Sequence, residues 1–207
     1  MEFQQVVQRR RMVRNYTDAP IYPEVRERIL RNALRAPSAG FSQGWAFLVV
    51  EELADRERFW TAVALPDTPP ARSVRRAPLI VAALSHKQAY LDRYAEPDKG
   101  WTDRDESRWP APYWDIDTGF AALLMLQTAV DAGLGACFIG IPPARIPAFR
   151  EAFGVPEQYH PIGYLTLGHP AHDMASPSLR RGRRSVEQVV HRGRWNAVAE
   201  LGPSASG

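Results

Sequence analysis

Two arginine-rich runs carry the most chemical information in this chain. RRRMVR holds Arg9, Arg10, Arg11 and Arg14, and LRRGRR holds Arg180, Arg181, Arg183 and Arg184. A guanidinium is planar and permanently charged, so it grips a phosphate through paired, charge-assisted hydrogen bonds. The runs lie near opposite ends of the chain, and a phosphate bound between the termini would use both. Each run alone reads more readily as a solvated face than as a site. A nucleic acid would use the same arginines for its backbone and Trp101, Trp109 and Trp114 as stacking platforms. It would leave RAPSAGFSQGW, residues 35–45, without an explanation. That stretch has no acid, thiol or imidazole and is rich in small side chains, with one amide, which suits a turn against which something lies close.

Other chemistries find little support. The five histidines show neither HExxH nor a Cys/His ligand spacing, so no metal site is expected. No G-x-S-x-G occurs, and neither Cys137 nor Ser38 has a base partner in the local sequence. The run GLGACFIG has Phe138 where a dinucleotide fingerprint needs its third glycine, and its order is helix, glycines, strand. Gly133 and Gly135 read as a tight helix-to-strand turn. Gly140, closing an apolar strand, marks a close approach by a ligand or another backbone.

The elements that must position these residues follow from periodicity. Residues 2–13 predict a short helix with Arg9, Arg10 and Arg11 in its last turn. A second helix starts at Pro23 and stops at Pro37, with Val25, Ile29, Ala33 and Ala36 on one face and Glu24–Arg28 and Glu27–Arg31 as i,i+4 pairs on the other. AFLVVEE reads as a strand, DRERFWTAV as a helix, and PLIVAAL, apolar on both faces, as a central strand. Lys87 to Trp114 reads as a long polar loop rich in tryptophan and tyrosine. IDTGFAALLMLQTAVDAG is a helix apolar almost all round, interrupted by Asp117, Gln127 and Asp131. In a chain this size such a helix is covered by a second subunit. ACFIGI, PARIPAFREAFG and YHPIGYLTLG predict strand, helix and strand, and GPSASG reads as a loose end. The expected class is α+β.

At 207 residues and 45% hydrophobic content the chain suits one domain with a sizeable core. One cysteine, Cys137, excludes an intrachain disulfide framework, reads as a buried structural thiol, and suggests a reducing, cytoplasmic compartment. No apolar run approaches the roughly 20 residues of a membrane span, and the net charge of +3 is modest.

Five segments, taken in order, resemble the nitroreductase-like flavin-dependent oxidoreductases. RRMVRNY resembles that family's RRSVR-x-[FY], and APSAGFSQGWAFLVV its APS-x-x-N-x-QPW-x-F. DAGLGACFIG, GYLTLGHP and RRGRRSVEQVVHRGRW match later blocks. The resemblance implies a nitroreductase-like α+β fold: a central, mostly antiparallel sheet flanked by helices, with a long buried helix at the dimer interface. It implies an obligate homodimer with an FMN at each of two interfacial sites, and no nucleic-acid or membrane partner. Arg10, Arg11, Met12 and Arg14 would bind the FMN phosphate and ring edge, with Arg181 and Arg183 from the tail. Pro37, Ser38, Ala39, Gly40 and Gln43 would hold the ring, and Ile139 and Gly140 would lie at its reactive centre. Phe41, Trp101, Trp109 and Tyr113 would contact substrate. Residues of about 85–114 would form a substrate-capping insertion within a single domain spanning 1–207, and 171–200 an extension embracing the partner.

The activity so implied is ping-pong hydride transfer from NAD(P)H through FMN to a flat electron acceptor such as a nitroaromatic or quinone. Flavin fragmentation, reductive dehalogenation, a deazaflavin-linked reaction and flavin storage stay open on the same fold. Three positions depart from the pattern. Met12 replaces a serine, losing a hydroxyl donor to the phosphate, and Phe41 and Gly44 replace the asparagine and proline of N-x-QPW.

Overall fold

A strand apolar on both faces must be covered on both, and Leu79–Ser85 (β2) is buried at every residue. It pairs antiparallel with Trp45–Val50 (β1) on one side and His160–Gly168 (β4) on the other. Gly135–Ile139 (β3) adds antiparallel to β4, giving the sheet order β1-β2-β4-β3. The structure, a computed structural model, describes residues 1–172 and 177–195. The chain divides into two units, Met1–Asp173 and Met174–Gly207.

In the first unit, alternation along β2 sends side chains into two cores. Leu79 and Val81 join Leu165, Leu167 and Ala136 under the helices Pro23–Ala33 (α2) and Tyr113–Asp131 (α6). Ile80, Ala82 and Leu84 face Phe59 and Trp60 of Leu53–Val63 (α3) and Phe149 of Ile146–Phe153 (α7). Burying each such large apolar side chain contributes roughly 1.5–3 kcal/mol, so both faces are strongly specified. A short helix, Phe3–Arg9 (α1), lies along α6, where the Met1 ammonium reaches Asp131 at 2.7 Å.

Several boundaries differ from those expected, each for a local reason. α1 ends at Arg9 because Arg10 caps it and Met12 bridges in parallel to Ala136; Arg10 and Arg11 are therefore outside the helix. The supposed loop after Lys87 begins with a helix, Lys87–Ala95 (α5), and α6 starts at Tyr113, three residues before the apolar run. A helix at Pro69–Arg75 (α4) was not expected, although two prolines at its first turn suit a helix start. On α2 the arginines reach other elements in place of the expected i,i+4 pairs: Arg28 lies 3.7 Å from Asp131, and Arg26 pairs with Glu51.

The second unit holds a 3₁₀ turn at Pro177–Arg181 and a one-turn helix, Val186–Val189 (α8), opened by a capping box between Ser185 and Gln188. Of the expected extension, residues 173–176 and 196–200 lie outside the described residues, as does the GPSASG end. Cys137 is fully buried, in keeping with a structural thiol. Among the described residues, no helix is long and apolar enough to cross a membrane.

Candidate functional site

Antiparallel pairing brings one end of the sheet together. β1 begins there at Trp45, β2 ends there at Ser85, and β3 leaves toward it at Ile139. The turn that feeds β1, Ser38–Gln43, is therefore held at the same end as Ile139 and Gly140. Both pieces of the expected ring-binding segment occupy this end of the molecule.

The turn is strapped by hydrogen bonds. Phe41 N–H donates to Ser38 O at 2.9 Å, Ser42 N–H to Ala39 O at 3.1 Å, and Gln43 N–H to the Ser38 hydroxyl at 3.0 Å. From α6, the Asp117 carboxyl accepts Ala39 N–H at 2.8 Å; from α5, Arg93 Nε donates to Gly40 O at 2.9 Å. The backbone inside is left-handed at three residues: Gly40 at φ 60°, Phe41 at φ 57° and Gln43 at φ 49°. Glycine adopts that region freely, whereas a bulky residue such as phenylalanine is strained there.

The smallness of this stretch has a cause inside the fold as well. A Cβ at Gly40 would lie 2.6 Å from the Tyr94 ring, and one at Gly44 2.5 Å from the Tyr90 ring. α5 thus presses against the back of the turn. Phe41 points the other way and is 76% exposed. At Gly140 a Cβ would meet nothing within 4 Å, so crowding within the chain does not account for that glycine.

Among the expected phosphate ligands, Arg10 and Arg11 have no ion-pair partner among the described residues. They differ in this from Arg26, Arg72, Arg76, Arg93 and Arg108, which are each paired to a carboxylate. Met12 is half-buried and packs against the α2–α6 core. Arg181 and Arg183 belong to the second unit, where both are exposed.

The aromatic residues expected to cap substrate are packed on one another. Trp109 lies 4.5 Å from Tyr94, 5.5 Å from Trp101 and 5.8 Å from Tyr113, centroid to centroid, with Tyr90 and Trp114 each at 6.0 Å. Lys99 and Arg108 cover Tyr94 and Trp101 from outside, at 5.4 and 5.6 Å from the rings. The flat platforms that a nucleic-acid reading needs are spent inside this cluster.

Beneath it, burial first and then the Asp117 carboxyl push the Tyr90 hydroxyl well above its usual range, so it keeps its proton and donates a hydrogen bond to Asp117 at 2.8 Å. A polar crevice of about 390 Å³ at this sheet end is lined by Ser85, Asp115, Arg150 and His160, with Ser85 donating to Asp115 at 2.6 Å. None of the residues expected to bind flavin lines it.

Comparison with known proteins now adds to the geometry. The chain is 28% identical over 188 residues to an Archaeoglobus fulgidus protein provisionally named NADH dehydrogenase/NAD(P)H nitroreductase, covering 90% of this chain and 94% of that one. It is 30% identical over 156 residues to Escherichia coli K12 YdjA, provisionally named an NAD(P)H nitroreductase, covering 70% and 75%. Among solved structures, NfrA2 of B. megaterium superposes with a TM-score of 0.73 at 20% identity, covering 97% of this chain and 77% of that one. A Clostridium acetobutylicum protein provisionally named an NADH oxidase superposes with a TM-score of 0.66 at 25% identity, covering 92% and 99%. The sequence pattern of the Nitroreductase family matches residues 7–169, and this chain belongs to that family.

Proposed function

We propose that this protein is an FMN-dependent oxidoreductase that takes reducing equivalents from NAD(P)H and gives them to a flat electron acceptor by a ping-pong route. The observation that carries the reading is that Arg10 and Arg11, adjacent in the segment that resembles the family's N-terminal arginine motif, have no carboxylate partner among the described residues. They suit a phosphate monoester, and Arg14 belongs to the same proposed set. Bound FMN would supply the two-electron chemistry, accepting hydride from NAD(P)H and releasing it to the acceptor in a second half-reaction.

The chain's own part is binding and orientation. The Ser38–Gln43 turn offers a rigid backbone wall, its polar groups already tied down, so little reorganisation accompanies ligand binding. Gly140 offers an approach with no side chain in the way. The exposed Phe41 ring suits stacking on a planar acceptor, with Trp101, Trp109 and Tyr113 behind it as a supporting wall.

We propose further that the working form is a homodimer. Ile116, Phe120 and Leu123 stand at i, i+4 and i+7 on α6 and are 36%, 43% and 41% exposed, an apolar stripe on a helix otherwise sunk in the core. A second copy laid along this stripe would cover it. Leu123→Asp should then give a monomer by light scattering, and a dimer that persists would count against this use of α6.

The cheapest test of the function is optical. Purified or FMN-reconstituted protein should show a flavin spectrum that bleaches on anaerobic mixing with NADPH or NADH. A bound flavin that neither donor reduces would remove the NAD(P)H reading. A colourless protein that takes up no FMN would remove the cofactor too.

A further inference from the structure

A buried carboxyl group is costly unless its oxygens are satisfied, and Asp117 is only 3% exposed in the second turn of a helix whose other buried residues are uncharged. Among the described residues it has no cationic partner. Its Oδ2 instead accepts from two elements, Ala39 N–H of the turn and the Tyr90 hydroxyl of α5. A carboxyl spent this way stabilises the fold less than an apolar residue of the same volume would.

The turn above it is the part of the first unit in greatest need of restraint. Two non-glycine residues within three positions have left-handed backbones, each costing on the order of 1–2 kcal/mol, and such conformations persist only where the surroundings over-determine them. Ser38 and Ser42 supply local bonds, and the half-buried Arg93, itself paired to Glu96 and Asp98, holds Gly40 O. Asp117 provides the buried anchor, on the longest helix of the unit, and the Tyr90 hydroxyl, held above its usual range by burial, donates to the same carboxyl from α5.

We propose that Asp117 is a positioning residue. Through Ala39 it fixes the Ser38–Gln43 turn in the strained form that presents backbone and the Phe41 ring to a planar ligand. This rests on the reading of the turn as a wall of the flavin site, and the experiment separates the two.

Three variants, Asp117→Ala, Asp117→Asn and Tyr90→Phe, are compared with wild type by FMN titration of the apoprotein, by the acceptor KM and kcat, and by hydrogen exchange at the Ala39 amide. Asp117→Ala should weaken FMN binding about tenfold and speed Ala39 exchange by a similar factor, the loss of one buried hydrogen bond to a carboxyl. KM for the acceptor should rise more than kcat falls. Asparagine keeps an acceptor oxygen and should restore all three readouts to within about threefold of wild type. Tyr90→Phe should weaken FMN binding by a smaller factor.

Wild-type FMN affinity together with a still-protected Ala39 amide in Asp117→Ala overturns the proposal. If that variant does not fold, the same pair of results in Tyr90→Phe overturns it. If wild type binds no FMN at all, the functional reading fails, and exchange at Ala39 alone decides whether Asp117 holds the turn.

Discussion

The Ser38–Gln43 turn and the aromatic cluster behind it are adjacent and stabilised in opposite ways. The cluster, built from Tyr90, Tyr94, Trp101, Trp109, Tyr113 and Trp114, is held by edge-to-face packing and spends its rings on one another. The turn has almost no apolar packing of its own; it holds left-handed residues through named hydrogen bonds and leaves its one aromatic ring in solvent. The two meet where Tyr94 backs Gly40 and Arg93 holds its carbonyl. The difference separates support from display. Strain and an exposed ring are unfavourable for stability alone, and their persistence against a well-packed support fits the proposed role of the turn as a ligand-facing wall.

The largest effect should come from the support. Trp109 touches the other rings of the cluster, and Trp109→Ala should destabilise the chain by about 3 kcal/mol, read as a drop in the denaturation midpoint. Trp109→Phe should cost much less, because its indole N–H is buried without a hydrogen-bond partner among the described residues and phenylalanine removes that orphan. If the alanine variant keeps full stability but loses affinity for acceptors, the cluster is a lid after all and the contrast drawn here collapses.

The sequence makes the turn easier to see than its support. β2 was legible because burial on both faces leaves an unbroken apolar run, and the turn stood out because its residues lack any chemistry of their own. Residues 87–114 read as one loop because the prolines and tryptophans that follow α5 mask the helix at its start. Yet Tyr90 and Tyr94, one helical turn apart, carry the amphipathic signal, and with Leu91 they supply the inward face of α5. Asp117 was visible only as an interruption in an apolar helix. An acid at such a place is expensive, and the expense was the clue. Its partner, the Ala39 amide, lies 78 residues away, and no local pattern announces a bond of that range.

A smaller effect of opposite sign should come from the displayed ring. Phe41→Asn places at φ 57° a residue that tolerates the left-handed region, and little burial is lost because the ring is 76% exposed. Stability should rise by about 0.5–1 kcal/mol while the KM for flat acceptors increases severalfold. A variant that gains no stability would mean that the phenylalanine ring stabilises the turn itself. An unaltered KM would remove Phe41 from the substrate surface.

The smallest effect lies at the joint between the two regions. Arg93 holds Gly40 O with Nε while its other nitrogens meet both Asp98 oxygens, at 2.7 and 2.8 Å. That hydrogen bond holds the Asp98 carboxyl below its ordinary value of 3.8. A carboxyl whose folded-state pKa is depressed contributes stability above its unfolded value and loses it as pH falls through the folded one. Wild type should therefore melt slightly above Asp98→Asn at neutral pH, with the gap narrowing below pH 3.8 and closing once Asp98 is protonated in the folded chain. The pair is solvent-exposed, so salt should shrink the gap as well. Because Arg93 keeps its charge throughout, its bond to Gly40 should outlast Asp98, and hydrogen exchange across residues 38–43 should change little over the same pH range once the intrinsic rate is divided out. Exchange that accelerates in step with Asp98 protonation would show instead that the turn depends on the exposed pair, and that the buried anchor at Asp117 is not enough to hold it.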